Sequence, residues 1–273
     1  MKKNLLQKNF SLTLGSLFLF LLLFCATFAP LLTHYSPTEI SLPNELCKPS
    51  PTHILGCDSN GTDIFSILLF GSRISLLVGL VSTSVCLCIA LVLGSIAGFF
   101  GGKVDSLLMR GLDMIFAFPG ILLAITVSCL LKPSVWNLIL CLCATGWAGY
   151  TRLVRGEVRN IMTKEFIESA RALGASPVRI IVLHIWPNIL STIVVAASFG
   201  LAGTILAEAS LSFLGIGVPA GTPSWGTLLS SGKDVIIEAP HVASFPGIAI
   251  ALTVLCFNFL GEGLRKKFDP KAY

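Results

Sequence analysis

The chain has 273 residues, 54% of them hydrophobic and only 12% charged, with a formal net charge of +5. Soluble domains carry about 25% charged residues, so this composition excludes an ordinary water-soluble fold and makes lipid the expected solvent. The basic residues stand near the ends of apolar runs and form no patch, which excludes a nucleic-acid footprint.

A bilayer core takes about 20 apolar residues per helix. Six segments qualify: Ser11 to Leu32, Ile74 to Phe100, Leu112 to Leu131, Val135 to Tyr150, Ile189 to Leu214 and Val242 to Leu260. The first follows Lys2, Lys3 and Lys8 in the manner of a signal peptide. Its apolar run is longer than a usual signal core, however, and "CATFAPLL" is a poor cleavage site, so it reads as a retained span. Next comes a Pro- and Ser-rich loop, Thr33 to Arg73, too small for a domain. It holds Cys47 and Cys57, which form a disulfide if the loop faces an oxidising compartment. The other seven cysteines, Cys25, Cys86, Cys88, Cys129, Cys141, Cys143 and Cys256, lie in apolar runs and read as small buried hydrophobes.

At the start of the third segment Arg110 and Asp113 are spaced i, i+3, as for an ion pair, and Pro119 within "AFPG" predicts a kink. The fourth segment, "VWNLILCLCATGWAGY", is the weakest, with Trp136 at one end and Trp147 and Tyr150 at the other matching the two interfaces. Gly79, Gly94, Gly98, Gly146, Gly200 and Gly203 predict close helix approach. In the fifth, Glu208 is a lone carboxylate that must face protein or water, lining a pathway or bonding neighbouring helices. Beyond it, Gly215 to His241 predicts a short interfacial helix anchored by Trp225.

With the N-terminus in the cytoplasm, six crossings put Lys2, Lys3, Lys8, Lys103, Arg110, Arg152, Arg155, Arg159, Lys164, Arg171, Arg179, Arg265, Lys266, Lys267 and Lys271 inside. Lys48, Arg73, Lys132 and Lys233 fall outside, an asymmetry that predicts both termini to be cytoplasmic.

The stretch Thr151 to Asn188 then lies in the cytoplasm. Thr163 is the expected N-cap of a helix with Glu165 in its first turn. Phe166, Ala170 and Leu173 make an apolar stripe at i, i+4, i+7, and Gly174 supplies the stop. A second short helix restarts with Ser176 as N-cap and Pro177 at its first position and runs to Pro187. The stripe can pack on the protein's own spans, belong to a helix-turn-helix DNA reader, or dock a cytoplasmic partner. Six spans and the near balance of Glu157, Glu165 and Glu168 against the basic residues speak against DNA.

"EFIESARALGASPVRIIVLHIWPN" resembles the EAA loop of ATP-binding-cassette importer permeases. Glu168, Ala170, Gly174 and Pro187 match that pattern; Ser169 stands for an Ala, and His184 and Trp186 for an Ile and a Leu. "HILGCDSNGTDIFSILLFGSRISLLVG", "FFGGKVDSLLMRGLDMIFAFPGILLAI", "GWAGYTRLVRGEV", "ILAEASLSFLGIGVPAGTPSWGTLL" and "FNFLGEGLRKKFDP" resemble the C-type permease of dipeptide and oligopeptide importers. That family usually has Thr and Arg where this chain has Cys57 and Thr62.

The resemblance implies an all-α polytopic fold of six membrane helices with a cytoplasmic coupling helix. Residues 1–73 would be an N-terminal helix and extracytoplasmic loop, and 74–273 a five-helix permease domain with its coupling loop at 151–188. It implies that Phe166, Glu168, Ala170, Leu173 and Gly174 dock an ATPase, and that Glu208 is a candidate for the pathway. The implied partners are a second permease, two ATPases and an external binding protein in a bacterial inner membrane. No phosphate loop GxxxxGK[ST] occurs in the chain, so ATP and magnesium belong to the ATPases and no cofactor is expected here. Dispersed histidines and the lack of a nucleophile beside a base give no catalytic or metal motif. Alternatives are the same architecture carrying a solute such as a nickel chelate, or an ion-coupled secondary transporter, which the absence of paired broken helices disfavours.

Overall fold

Residues 2–219 and 221–268 are described by the structure, a computed structural model. Lys271 and the last residues of "FNFLGEGLRKKFDP" lie outside them, and so do the side chains of Lys2, Lys3 and Lys8. Among the described residues there is no strand, only an isolated bridge between Cys57 and Asp63.

Helix α1 (Lys2–Thr27) and the single turn α2 (Ala29–Leu32) lead into a loop, after which α3 (Ile64–Phe100) begins. Asp63 starts α3 by accepting a hydrogen bond from the Ser66 backbone N–H at 2.8 Å. The helix therefore opens well before Ile74, and the boundary expected between residues 73 and 74 falls inside it. Its 37 residues span about 55 Å at roughly 1.5 Å each, far more than the roughly 30 Å hydrocarbon layer. Arg73, on the third turn, reaches back to the carbonyls of Ala26 and Thr27 and satisfies the end of α1.

The third expected span, Leu112 to Leu131, is not one helix. α4 (Gly102–Phe116) and α5 (Gly120–Leu130) meet at 81°. Pro119 does more than kink the chain, because it disfavours a helical conformation at Phe118 and has no N–H with which to close the turn.

α6 (Val135–Met162) contains the weak fourth segment and runs on past Tyr150, absorbing the first part of the expected 151–188 loop. Among the described residues four helices are long and apolar enough to cross a membrane, or five if the bent pair counts as one, and α6 is not among them. Its Leu138, Leu142, Val154 and Val158 are buried within the bundle, where α6 packs along α3, so its composition answers to protein neighbours as well as to lipid. Contact is close because a Cβ at Gly94 or Gly98 would come within 2.8 or 2.7 Å of the Cβ of Val154 or Val158. Two glycines one turn apart thus accept two valines one turn apart, the dispersion-driven packing that membrane helices rely on.

α7 (Glu165–Ala172) follows, then α8 (Pro177–Arg179), a π-helical stretch Ile180–Ile185 and α9 (Trp186–Phe213). The second helix of the corner is therefore not short: residues 177–213 form one 37-residue helix that passes through Pro187. α10 (Trp225–Lys233) is the short helix expected after the fifth span, but Trp225 is no interfacial anchor. It is buried, and its Nε1–H donates to the Leu68 carbonyl at 3.0 Å. α11 (Pro240–Phe268) closes the bundle against α1 and α9. Of the cysteines expected in the core, Cys86, Cys141, Cys143 and Cys256 are buried, Cys25 is half-buried, and Cys88 and Cys129 lie on exposed faces of their helices.

Candidate functional site

The corner between α6 and α9 is built by local backbone chemistry. α6 ends at Met162, and Thr163 turns its hydroxyl back to the Asn160 carbonyl at 2.8 Å. Thr163 therefore finishes one helix and does not cap the next; the N-cap of α7 is Lys164, without a side-chain hydrogen bond. At the far end Gly174 takes φ +79°, with its N–H on the Arg171 carbonyl (2.9 Å) and the Ala175 N–H on Ala170 (3.0 Å). This paired closure needs a left-handed residue, which glycine adopts without strain. Ser176 then accepts from the Arg179 N–H at 3.4 Å and Pro177 occupies the first helical position.

The expected stripe of Phe166, Ala170 and Leu173 is divided between two faces. Ala170 is buried together with Ile167 in a cluster with Val158 and Ile161 of α6, Ile180 and Ile185 of the π-helical stretch, and Ile189 of α9. Phe166 and Leu173 point outward with Glu168, and Leu173 is 89% exposed. The fully buried inward position, Ile167, was missed, although its spacing to Ala170 is also helical. Arg171 lies over the Phe99 ring at 5.4 Å, joining the corner to α3.

A brace holds the upper part of this assembly. Asp105 on α4 is buried and receives both Nε and Nη2 of Arg155, the latter at 2.6 Å, and Nη2 of Arg159 at 2.7 Å. Asp113 pairs with Arg152 at 2.7 Å and not with Arg110, because α4 lies against α6 and α6 offers a row of arginines to it. The row was visible as Arg152, Arg155 and Arg159 on one helical face; its acidic partners were not.

Glu208 is fully buried on α9. Ser75 of α3 donates to Oε2 and Ser212 to Oε1, each at 2.9 Å, so the carboxylate joins two spans. Between α6 and α9 runs a groove of about 520 Å³ lined by small and hydroxyl-bearing residues, among them Gly149, Gly203 and Thr204, with Tyr150 and Phe199. Cys47 and Cys57 are joined in a disulfide, Cα atoms 4.9 Å apart, in the loop before α3. Asp58 in that loop is buried, which raises its carboxyl above the ordinary range against the lowering influence of the Thr62 and Asn60 N–H groups.

Long apolar helices packed round one another, with a stiff corner interlocked with two of them, are the architecture of a membrane permease. The matching family model, binding-protein-dependent transport system inner membrane component, spans residues 90–272, and the chain belongs to this family. It is similar to the dipeptide transport system permease protein DppC of Alkalihalophilus pseudofirmus, 41% identical over 97% of this chain and 88% of that protein. It is also similar to the glutathione transport system permease protein GsiD of Pectobacterium atrosepticum, 41% identical over 98% of this chain and 89% of that protein. Its fold resembles a chain from inward-facing structures of the MetNI methionine ABC transporter, with TM-score 0.61 and 20% identity over 71% of this chain and 93% of that one.

Proposed function

We propose that the chain is one permease subunit of an ATP-driven importer of di- and oligopeptides, in a bacterial inner membrane with both termini in the cytoplasm. A second permease, two ATPases that hold ATP and magnesium, and an external binding protein complete it. Relatives named for dipeptides and for glutathione support a peptide substrate, since both names describe short peptides.

The observation that carries the reading is the two-sided α7: Leu173 stands 89% exposed while Ile167 on the opposite side is fully buried. The outer face of Phe166, Glu168 and Leu173 seats in an apolar cleft of an ATPase, with Gly174 as the corner. The inner face, Ile167 and Ala170, interlocks with α6 and with the start of the 177–213 helix, so α7 cannot shift without moving both. Closure of the ATPases then tilts these two helices as stiff bodies and changes the width of the groove between them, which serves as the wall of the peptide pathway.

Leu173→Asp tests this. The chain should insert at its usual level, while co-purification of the ATPase and uptake of a labelled dipeptide each fall at least tenfold. Full uptake by that variant would remove the docking claim.

A further inference from the structure

The loop before α3 holds a cluster that peptide transport leaves unused. The sulfurs of Cys47 and Cys57 and a ring nitrogen of His53 lie within 4.8 Å of one another. Reduction of the disulfide leaves two thiols and an imidazole in one small volume, on a backbone that is already fixed. Cys57 N–H donates to the Cys47 carbonyl at 3.0 Å, and Ile64 N–H to Gly56 at 3.0 Å. His241, at the start of α11, sets Nε2 3.1 Å from that same Cys47 carbonyl.

The imidazole is held by a carboxylate. His53 Nδ1 lies 3.0 Å from Asp63 Oδ1, and its ring packs on Tyr35 with centroids 4.7 Å apart. Asp63 is held in turn, its Oδ2 accepting from the Ser66 N–H at 2.8 Å and the Ser66 hydroxyl at 2.9 Å. A carboxylate on Nδ1 keeps the proton there and leaves the Nε2 lone pair available, the arrangement that positions metal-binding histidines. Cys57 is fully buried and Cys47 half-buried, which gives the site one open side. Two sulfurs and one nitrogen suit a soft or borderline cation; calcium and magnesium require oxygen.

We propose that the reduced loop is a binding site for a thiophilic cation of the zinc class, held by the Cys47 and Cys57 thiolates and His53 Nε2, and that the disulfide closes it. A dithiol reductant transfers two electrons and two protons to the S–S bond and itself becomes a disulfide. Zn²⁺ then displaces the two thiol protons to solvent without changing oxidation state.

The test uses the full-length chain in lipid nanodiscs, reduced with dithiothreitol, desalted without oxygen and titrated with Co²⁺, whose thiolate complexes absorb visibly. A Cys47→Ser/Cys57→Ser double variant measures the background from the other seven cysteines. One equivalent above that background, displaced by Zn²⁺ and absent from the oxidised chain, is expected. His53→Gln should abolish it, and Asp63→Asn, which keeps an acceptor for the α3 cap, should weaken it about 10- to 100-fold. The proposal is overturned if the reduced chain binds no more Co²⁺ than the double variant, or if His53→Gln binds as tightly as the parent.

Discussion

Replacing Asp105 with alanine strips two arginines of α6 of the carboxylate they share. The Asp105 side chain is 8% exposed and that of Arg155 23%, so this pair is largely withdrawn from water, whereas Arg159 is 48% exposed. Breaking a buried pair by removing one partner costs about 3–5 kcal/mol, and an exposed pair is worth about 0–1. Arg155 belongs near the bottom of the first range and Arg159 in the second, so the loss should be about 3 kcal/mol, on the order of 100-fold in the folding equilibrium. Reversible unfolding by SDS in mixed micelles measures it, and a cycle with Arg155→Met isolates the pair. The double variant should regain part of the loss, because its unpaired guanidinium is gone, with a coupling near 2 kcal/mol. A coupling under about 0.5 kcal/mol, the error expected for independent sites, would refute the assignment of this brace.

Gly98→Leu drives a side chain into Val158 and should cost about 1–3 kcal/mol or more, partly recovered by Val158→Ala; unchanged stability would contradict the close contact of α3 and α6. Glu208→Ala leaves the Ser75 and Ser212 hydroxyls without their acceptor, for a loss of about 1–3 kcal/mol. Glu208→Gln should be milder; uptake abolished in that variant at full stability would move Glu208 from helix bonding to the pathway. The carboxyl of Asp58, raised by burial, favours the folded loop when protonated. That contribution is complete below the ordinary carboxylate value and fades as pH rises through the interval up to the raised one. Asp58→Asn, which keeps an acceptor for the Asn60 and Thr62 N–H groups, should remove this pH dependence from hydrogen exchange of the loop.

Features set by one residue's own backbone were legible in the sequence. Gly174, Ser176 and Pro177 act where they were placed, because a left-handed stop, an N-cap hydroxyl and a missing N–H are local properties. Thr163 failed by one position, since its hydroxyl can serve the end of α6 as readily as the start of α7. Features decided by packing were hidden. Asp113 has Arg110 one turn away in sequence and Arg152 across a helix interface, and only the approach of α4 to α6 chooses between them. The division of Ala170 from Phe166 and Leu173 has the same origin: a stripe read from one helix does not say how far its neighbours wrap round it. The segment Val135 to Tyr150 is the weakest of the expected spans, and α6 as a whole falls short of an apolar crossing helix because part of its surface is buried against α3 and not against lipid.

The π-helical stretch sets an angle. Ile180, Ile185, Ile189 and Ile193 share one buried cluster although the first step is five residues and the others four. In a regular α-helix a five-residue step overshoots a full turn by about 140°, which would swing Ile180 out of register with the rest. The wide turn absorbs this excess and brings the corner round to face α6. The heading of α7 relative to the 177–213 helix is thus written as a residue count. Deleting Asn188, where the helix is regular and no wide turn absorbs the change, would rotate the whole contact by roughly 100° while leaving every side chain in it intact.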